Sequence, residues 1–132
     1  MKVATDEAPA VLGVVTVPGM PRAVQAVRRF AMELLTERPF RDDLVLCLSE
    51  LVTNAVVHTA SGRGGHVTVA ITEGGEGVQV DVSDDGGTGV PEICHEAEGV
   101  SGRGLRLVEG LAGSWGVRVS REGTTVWFTM DR

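Results

Sequence analysis

A two-layer α/β sandwich of the α+β kind, with three helices on one face of a mixed but mostly antiparallel sheet, is what these 132 residues predict. Two observations carry this. Apolar residues recur at helical spacing in three segments and alternate with period two in the rest, in the order β-α-α-β-β-α-β-β. Each helical segment has one apolar side, and such helices are buried most economically against a sheet.

The elements follow in chain order. Residues 1–10 are small and polar and are expected to form a flexible N-terminus; 11–132 read as one domain. The Val-rich stretch 11–17 suits a strand closed by Pro18-Gly19. Pro21 fits the first turn of a helix over 21–36, with Val24, Val27, Ala31 and Leu34 on one stripe and Arg22, Arg28 and Arg29 off it. A second helix is expected over 41–58, with Leu44, Leu48, Leu51, Val52 and Ala55 on its apolar face. Val67, Val69 and Ile71, then Val78, Val80 and Val82, alternate as two strands of a hairpin turning at 74–77. Leu105, Val108 and Ala112 mark a short third helix. Strands at 117–120 and 125–130 close the chain around a turn at 121–124.

Composition removes several functions. Hydrophobic residues make up 42% of the chain, enough for a real core and against disorder. With two Trp, three Phe and no Tyr, that core is aliphatic. A net charge of −6 and a single Lys argue against a nucleic-acid backbone as partner, because such binding relies on clustered cations. Cys47 and Cys94 lack metal or disulfide spacing and read as reduced thiols. No apolar run approaches the ~20 residues that span a bilayer. The start of the chain carries Asp6 and Glu7 and no leader pattern, so a soluble cytoplasmic protein is expected.

Three short motifs carry chemistry. Glu50, Asn54 and His58 lie four residues apart on the second helix, and each step advances only ~40° past a full turn. They therefore form one polar file at the rim of the buried face. A carboxylate there can accept a proton, and an amide oxygen one turn on can ligate a hard cation such as Mg²⁺. Asp84-Asp85-Gly86-Gly87-Thr88-Gly89 leaves a strand end. A carboxylate in that place can accept a hydrogen bond from an exocyclic amine, and the glycines let backbone approach a ligand. The glycine loop Gly102-Arg103-Gly104 feeds the third helix at Leu105, where free N–H groups and the positive dipole end suit phosphate, and Arg103 adds a cation. Each alone has an ordinary explanation: a solvated helix edge, Asp-Gly turn chemistry, a glycine-rich helix start.

Together and in order, the segments Glu50-Leu51-Val52-Thr53-Asn54-Ala55-Val56-Val57-His58, Val80-Asp81-Val82-Ser83-Asp84-Asp85-Gly86-Gly87 and Gly102-Arg103-Gly104-Leu105-Arg106-Leu107-Val108 resemble the N, G1 and G2 boxes of the GHKL ATPase superfamily, which includes gyrase, histidine kinases and mismatch-repair ATPases. Gly123-Thr124-Thr125-Val126-Trp127-Phe128 resembles its final strand. The resemblance spans about 15–130 and implies a Bergerat-type ATP-binding fold. Length and wording are similar to the small anti-sigma-factor serine kinases. That likeness implies ATP and Mg²⁺ as cofactors, a homodimer, and two protein partners: a sigma factor, and a STAS-type anti-anti-sigma protein phosphorylated on serine.

Carried over, Glu50 is the base and Asn54 the magnesium ligand, with His58 beside them. Asp84 recognises adenine with Thr125 near it. Asp85 is the alternative register, since Asp85-x-Gly87-x-Gly89 fits the consensus spacing while Val80, Val82 and Asp84 continue the strand alternation. Gly86, Gly87, Gly89, Gly102, Arg103, Gly104 and Leu105 line the nucleotide, and 88–101 forms a lid. Many relatives carry Lys where this chain has Thr124. The competing readings are an adaptor that binds ATP without turnover and a detached histidine-kinase catalytic domain.

Overall fold

The computed structural model describes residues 9–58, 64–75, 77–85 and 100–131, with side chains at all of these except 58 and 100–104. In chain order the elements are β1 (Ala10–Pro18), α1 (Ala23–Leu34), α2 (Arg41–His58), β2 (His66–Glu73), β3 (Gly77–Asp84), α3 (Val100–Leu111), β4 (Ser114–Ser120) and β5 (Gly123–Asp131). The expected order holds. Helix α1 is shorter than 21–36. Its approach is a tight turn in which the N–H groups of Ala23, Val24 and Gln25 bond to the carbonyls of Met20, Pro21 and Arg22, and it stops where Leu35 leaves helical geometry.

The strands form one sheet in the order β1-β2-β3-β5-β4, and every neighbouring pair is antiparallel. The parallel pairing that a mixed sheet requires does not occur among the described residues. The β3–α3–β4 crossover would make β4 parallel to β3 if they touched, but the returning strand β5 inserts between them and is antiparallel to both.

Register divides the sheet into two faces. Val15, Val17, Val67, Val69, Ile71, Val78, Val80, Val82, Val126, Phe128 and Met130 share the inner face and pack with all three helices. The outer face is polar. On it Thr16 meets Thr68 at 2.8 Å, Ser114 meets Thr129 at 2.9 Å, and Arg118 pairs with Asp81 at 2.9 Å. The Trp127 indole lies over Gly116, where an added Cβ would come within 2.7 Å of the ring. Trp115, one residue earlier in β4, packs on the inner side against the core.

Helix α2 sits between α1 and α3 and over β2 and β3. Its burial exceeds the single stripe that sequence spacing gives, because Val45, Cys47 and Val56 are buried along with Leu44, Leu48, Leu51, Val52 and Ala55. A helix with neighbours on three sides loses most of its polar circumference. Arg28 of α1 donates from Nη1 to Ser49 Oγ at 2.9 Å, and Ser49 Oγ donates to Val45 O at 2.7 Å, which locks α1 to α2. Arg38 grips Glu73 at 2.7 and 3.3 Å, tying the α1–α2 connection to the end of β2.

Gly123 opens β5 with φ of 150°, and a Cβ there would overlap the Asp84 carbonyl oxygen. Only glycine lets β5 start so close to the end of β3. Gly123→Ala is therefore expected to lower unfolding free energy by about 1–3 kcal/mol, read as a lower urea midpoint at unchanged m-value.

Candidate functional site

The site assembles at one end of the sheet. Residues 59–65 join the end of α2 to the start of β2, and Val67 near that start pairs with Asp84 at the end of β3. Asp84 in turn pairs with Thr124 near the start of β5. Only Ala112 and Gly113 separate α3 from β4, so the chain folds back and the beginning of α3 lies towards the same end. The later turns of α2, the start of α3 and the Asp84–Thr124 step thus share one end of the molecule.

On α2 the described side chains that escape full burial, Arg41 at its first position apart, occupy a single arc: Asp42, Asp43, Leu46, Glu50, Thr53, Asn54 and Val57. Glu50 and Asn54 are half-buried on it, and Asn54 Oδ1 is itself shielded from solvent. The helix holds them by its apolar majority and by Thr53 Oγ1, which donates to Ser49 O at 2.8 Å. Asp42 and Asp43 occupy its first turn, where the N-terminal dipole favours negative charge. His58 is the last helical residue, and its side chain lies outside the described residues.

The two adjacent carboxylates separate. Asp84 closes β3 on the inner face, half-buried between Val67 and Thr124. Asp85 has left the strand, and its Oδ2 accepts a hydrogen bond from the His66 backbone N–H at 2.7 Å. The strand alternation that favoured Asp84 from the sequence is thus the arrangement seen.

Thr125 does not lie beside Asp84. It occupies the outer face, bonded to Ser83 Oγ at 2.8 Å. The inner-face neighbour of Asp84 is Thr124, 4% exposed. Successive strand residues point to opposite sides, so a shift of one residue moves the hydroxyl through the sheet. The signal was present in the parity of Val126, Phe128 and Met130, which leads back to Thr124.

Two expectations at α3 also change. The helix begins at Val100, so Gly102, Arg103 and Gly104 belong to its opening turns and not to a loop before it. Within that opening, the first-turn backbone N–H groups, up to Gly102, have no partner inside the helix, which keeps that turn suited to an anion. Leu105 is 2% exposed and belongs to the core with Val108, so its side chain serves packing. Gly86, Gly87 and Gly89, and the part of the expected lid over 88–99, lie outside the described residues.

The donors at hand fit a hard cation of the magnesium type. Among the described residues no three His, Cys, Asp or Glu side chains gather around one point. One amide oxygen at Asn54 is what an ion needs when it draws its other ligands from phosphate and water. An open concavity of about 600 Å³, lined by Thr72, Gln79, Ser114, Thr129 and Asp131, lies at the opposite end of the sheet, remote from these groups.

Residues 17–130 match the profile of the histidine kinase-like ATPase domain family. No curated protein sequence matches. Among solved structures the chain is similar to the RsbU and RsbW domains of Rv1364c from Mycobacterium tuberculosis, at 24% identity and a TM-score of 0.67 over 94% of this chain and 32% of that one. It is also similar to the histidine kinase domain of the blue-light activated histidine kinase EL346 from Erythrobacter litoralis. There the identity is 21% and the TM-score 0.55, over 87% of this chain and 61% of that one. The chain spans less than two thirds of either, and likeness at such identity is likeness of fold.

Cys47, one turn from Glu50 and fully buried, has its thiol pushed up to about 11 by burial first, then by the charges of Asp43 and Glu50. At pH 8 the native protein should leave Cys47 unlabelled by iodoacetamide while the unfolded chain labels, as read by peptide mass mapping. Between about 9 and about 11 the folded state holds a proton that the unfolded chain has lost, so stability falls as pH rises through that window.

Proposed function

Because the chain belongs to the histidine kinase-like ATPase domain family, we propose that it binds ATP with magnesium and transfers the γ-phosphoryl group to a serine of a protein partner, as a regulatory kinase of the anti-sigma type. The observation that carries this is the inner-face step Asp84–Thr124 at the same end of the molecule as the later turns of α2, which bear Glu50 and Asn54. A half-buried carboxylate at a strand end is an acceptor for the adenine amine, and the neighbouring hydroxyl of Thr124 can support it directly or through water. Those groups read the base. Glu50 and Asn54 serve the other end of the nucleotide, with the first-turn N–H groups of α3 and Arg103 on the phosphates.

In the transfer, the serine oxygen attacks the γ-phosphorus, the bond to the β,γ-bridging oxygen breaks, and ADP leaves with that bond's electron pair. Glu50 takes the hydroxyl proton. Asn54 would hold the magnesium ion through Oδ1. Bound there, the ion supplies neutralisation of phosphate charge, and positioning with such neutralisation is most of what phosphoryl transfer needs.

The fold shared with an RsbW domain supports the anti-sigma reading. It brings as proposed partners a sigma factor and a STAS-type anti-anti-sigma protein, with a homodimer as the assembly. A cytoplasmic setting belongs to the same reading, and no described helix is long and apolar enough to cross a membrane.

Titration calorimetry with ATP and magnesium tests the site. Asp84→Asn is expected to weaken binding about 10- to 100-fold, the loss of a hydrogen bond to a charged group, while Asp85→Asn leaves it nearly unchanged. Equal effects from the two would refute the assigned register. The hydroxyl face is checked separately, with Thr124→Val weakening ATP binding and Thr125→Val not. Glu50→Gln should keep ATP affinity and lower transfer to a serine-bearing partner by roughly 10²-fold or more. Full-rate transfer in that variant removes Glu50 as base, and ATP binding with no transfer in the wild type leaves the adaptor reading.

A further inference from the structure

The exposed arc of α2 holds more than the polar file. Leu46 is 42% exposed one turn before Glu50, and Val57 is 59% exposed two turns after it. Asp42 and Asp43 lie at the start of the same arc, and Asp42 is 89% exposed with only a loose ion pair to Arg41 at 3.6 Å. On a helix that buries nearly every other apolar side chain, these two are left in solvent in line with the carboxylate assigned as base. Core packing does not account for them: Leu44, Leu48, Leu51 and Val52 already fill the side towards the sheet.

We infer that this arc is the docking ridge for the phosphoacceptor segment, and that the segment carries an apolar side chain and a basic side chain on the same side as its acceptor hydroxyl. The inference rests on the kinase reading above and adds the chemistry of the substrate. Three carboxylates, Asp42, Asp43 and Glu50, lie on the ridge, and no Lys or Arg of α2 does, since Arg41 sits about 140° round the helix from Leu46. A partner of complementary charge is therefore basic there. The spacing is set by the helix. Four residues separate Leu46 from Glu50, ~6 Å along the axis, and seven or eight separate Asp43 and Asp42 from Glu50, ~10–12 Å. An extended peptide advances ~6.5 Å per two residues and returns to the same face. A hydroxyl at Glu50 thus places an apolar residue two positions away at Leu46, and a Lys or Arg four positions away at the two aspartates.

Synthetic nonapeptides with a central serine, Leu two positions away and Lys four positions away, in both chain directions, are the probe. Wild-type protein with ATP and magnesium should phosphorylate the peptide of one direction about tenfold faster than the same peptide with Glu in place of Lys, or Ser in place of Leu. Leu46→Ser should erase the Leu preference. The double variant Asp42→Lys/Asp43→Lys should invert the Lys-over-Glu preference. Neither variant should change ATP affinity by calorimetry, which also shows that both are folded. Preferences unaltered by the variants overturn the inference, as does ATP binding without phosphorylation of any peptide. A change in oligomeric state by light scattering in Leu46→Ser, with peptide preference intact, would assign the ridge to a second copy and overturn it as well. Loss of ATP binding by the wild type is a different failure: it removes the nucleotide reading on which the ridge depends.

Discussion

The register of β3 between β2 and β5 governs the rest of this molecule. It sets Val69, Val82 and Val126 in one row and Val67, Asp84 and Thr124 in the next, so the apolar inner face ends in a carboxylate and a hydroxyl. Slipping β5 by one residue would bring Thr125 inward and expose Phe128, which is fully buried. Core burial and the candidate site therefore enforce the same pairing. Gly123 completes the arrangement, since only a residue without Cβ permits the close approach of β5 to the Asp84 carbonyl.

Helix α2 is the second determinant. Packed by α1, α3 and the sheet, it has a narrow arc left for chemistry, and Glu50 and Asn54 occupy that arc on a backbone held by Ser49, Thr53 and Arg28. A pair of polar side chains on so confined a helix keeps its orientation without spending entropy on ordering. The buried Cys47 one turn from Glu50 shows the electrostatic character of that surface, where carboxylates stand beside an apolar interior.

Much of this was legible in the chain. Period-two runs of Val marked β2 and β3, and helical spacing marked α2 at its observed limits of Arg41 and His58. The inner-face position of Asp84 followed from alternation alone. What could not be read was tertiary. Burial of Val45 and Val56 depends on flanking helices that no periodicity reveals. The absence of a parallel pair among the described strands depends on β5 inserting between β3 and β4. Arg28, which sits off the apolar stripe, bonds Ser49 across a helix interface that spacing does not reveal. The start of α3 was hidden because glycines at 102 and 104 favour a loop by local propensity, and packing of Leu105 and Val108 prevails. Thr125 was misplaced for want of counting parity back from Phe128.

The placement of the two tryptophans has an optical consequence. Trp115 sits against the core near the Ser114–Thr129 end of the sheet, and Trp127 shields Gly116 on the outer face. One indole stands on each side of the same strand pair, so their emission senses separation of β4 from β5. Neither tryptophan belongs to the register row that contains Asp84. Intrinsic fluorescence of this protein is accordingly a gauge of whether the sheet is intact, and occupancy of the inner-face end has to be followed with an extrinsic dye.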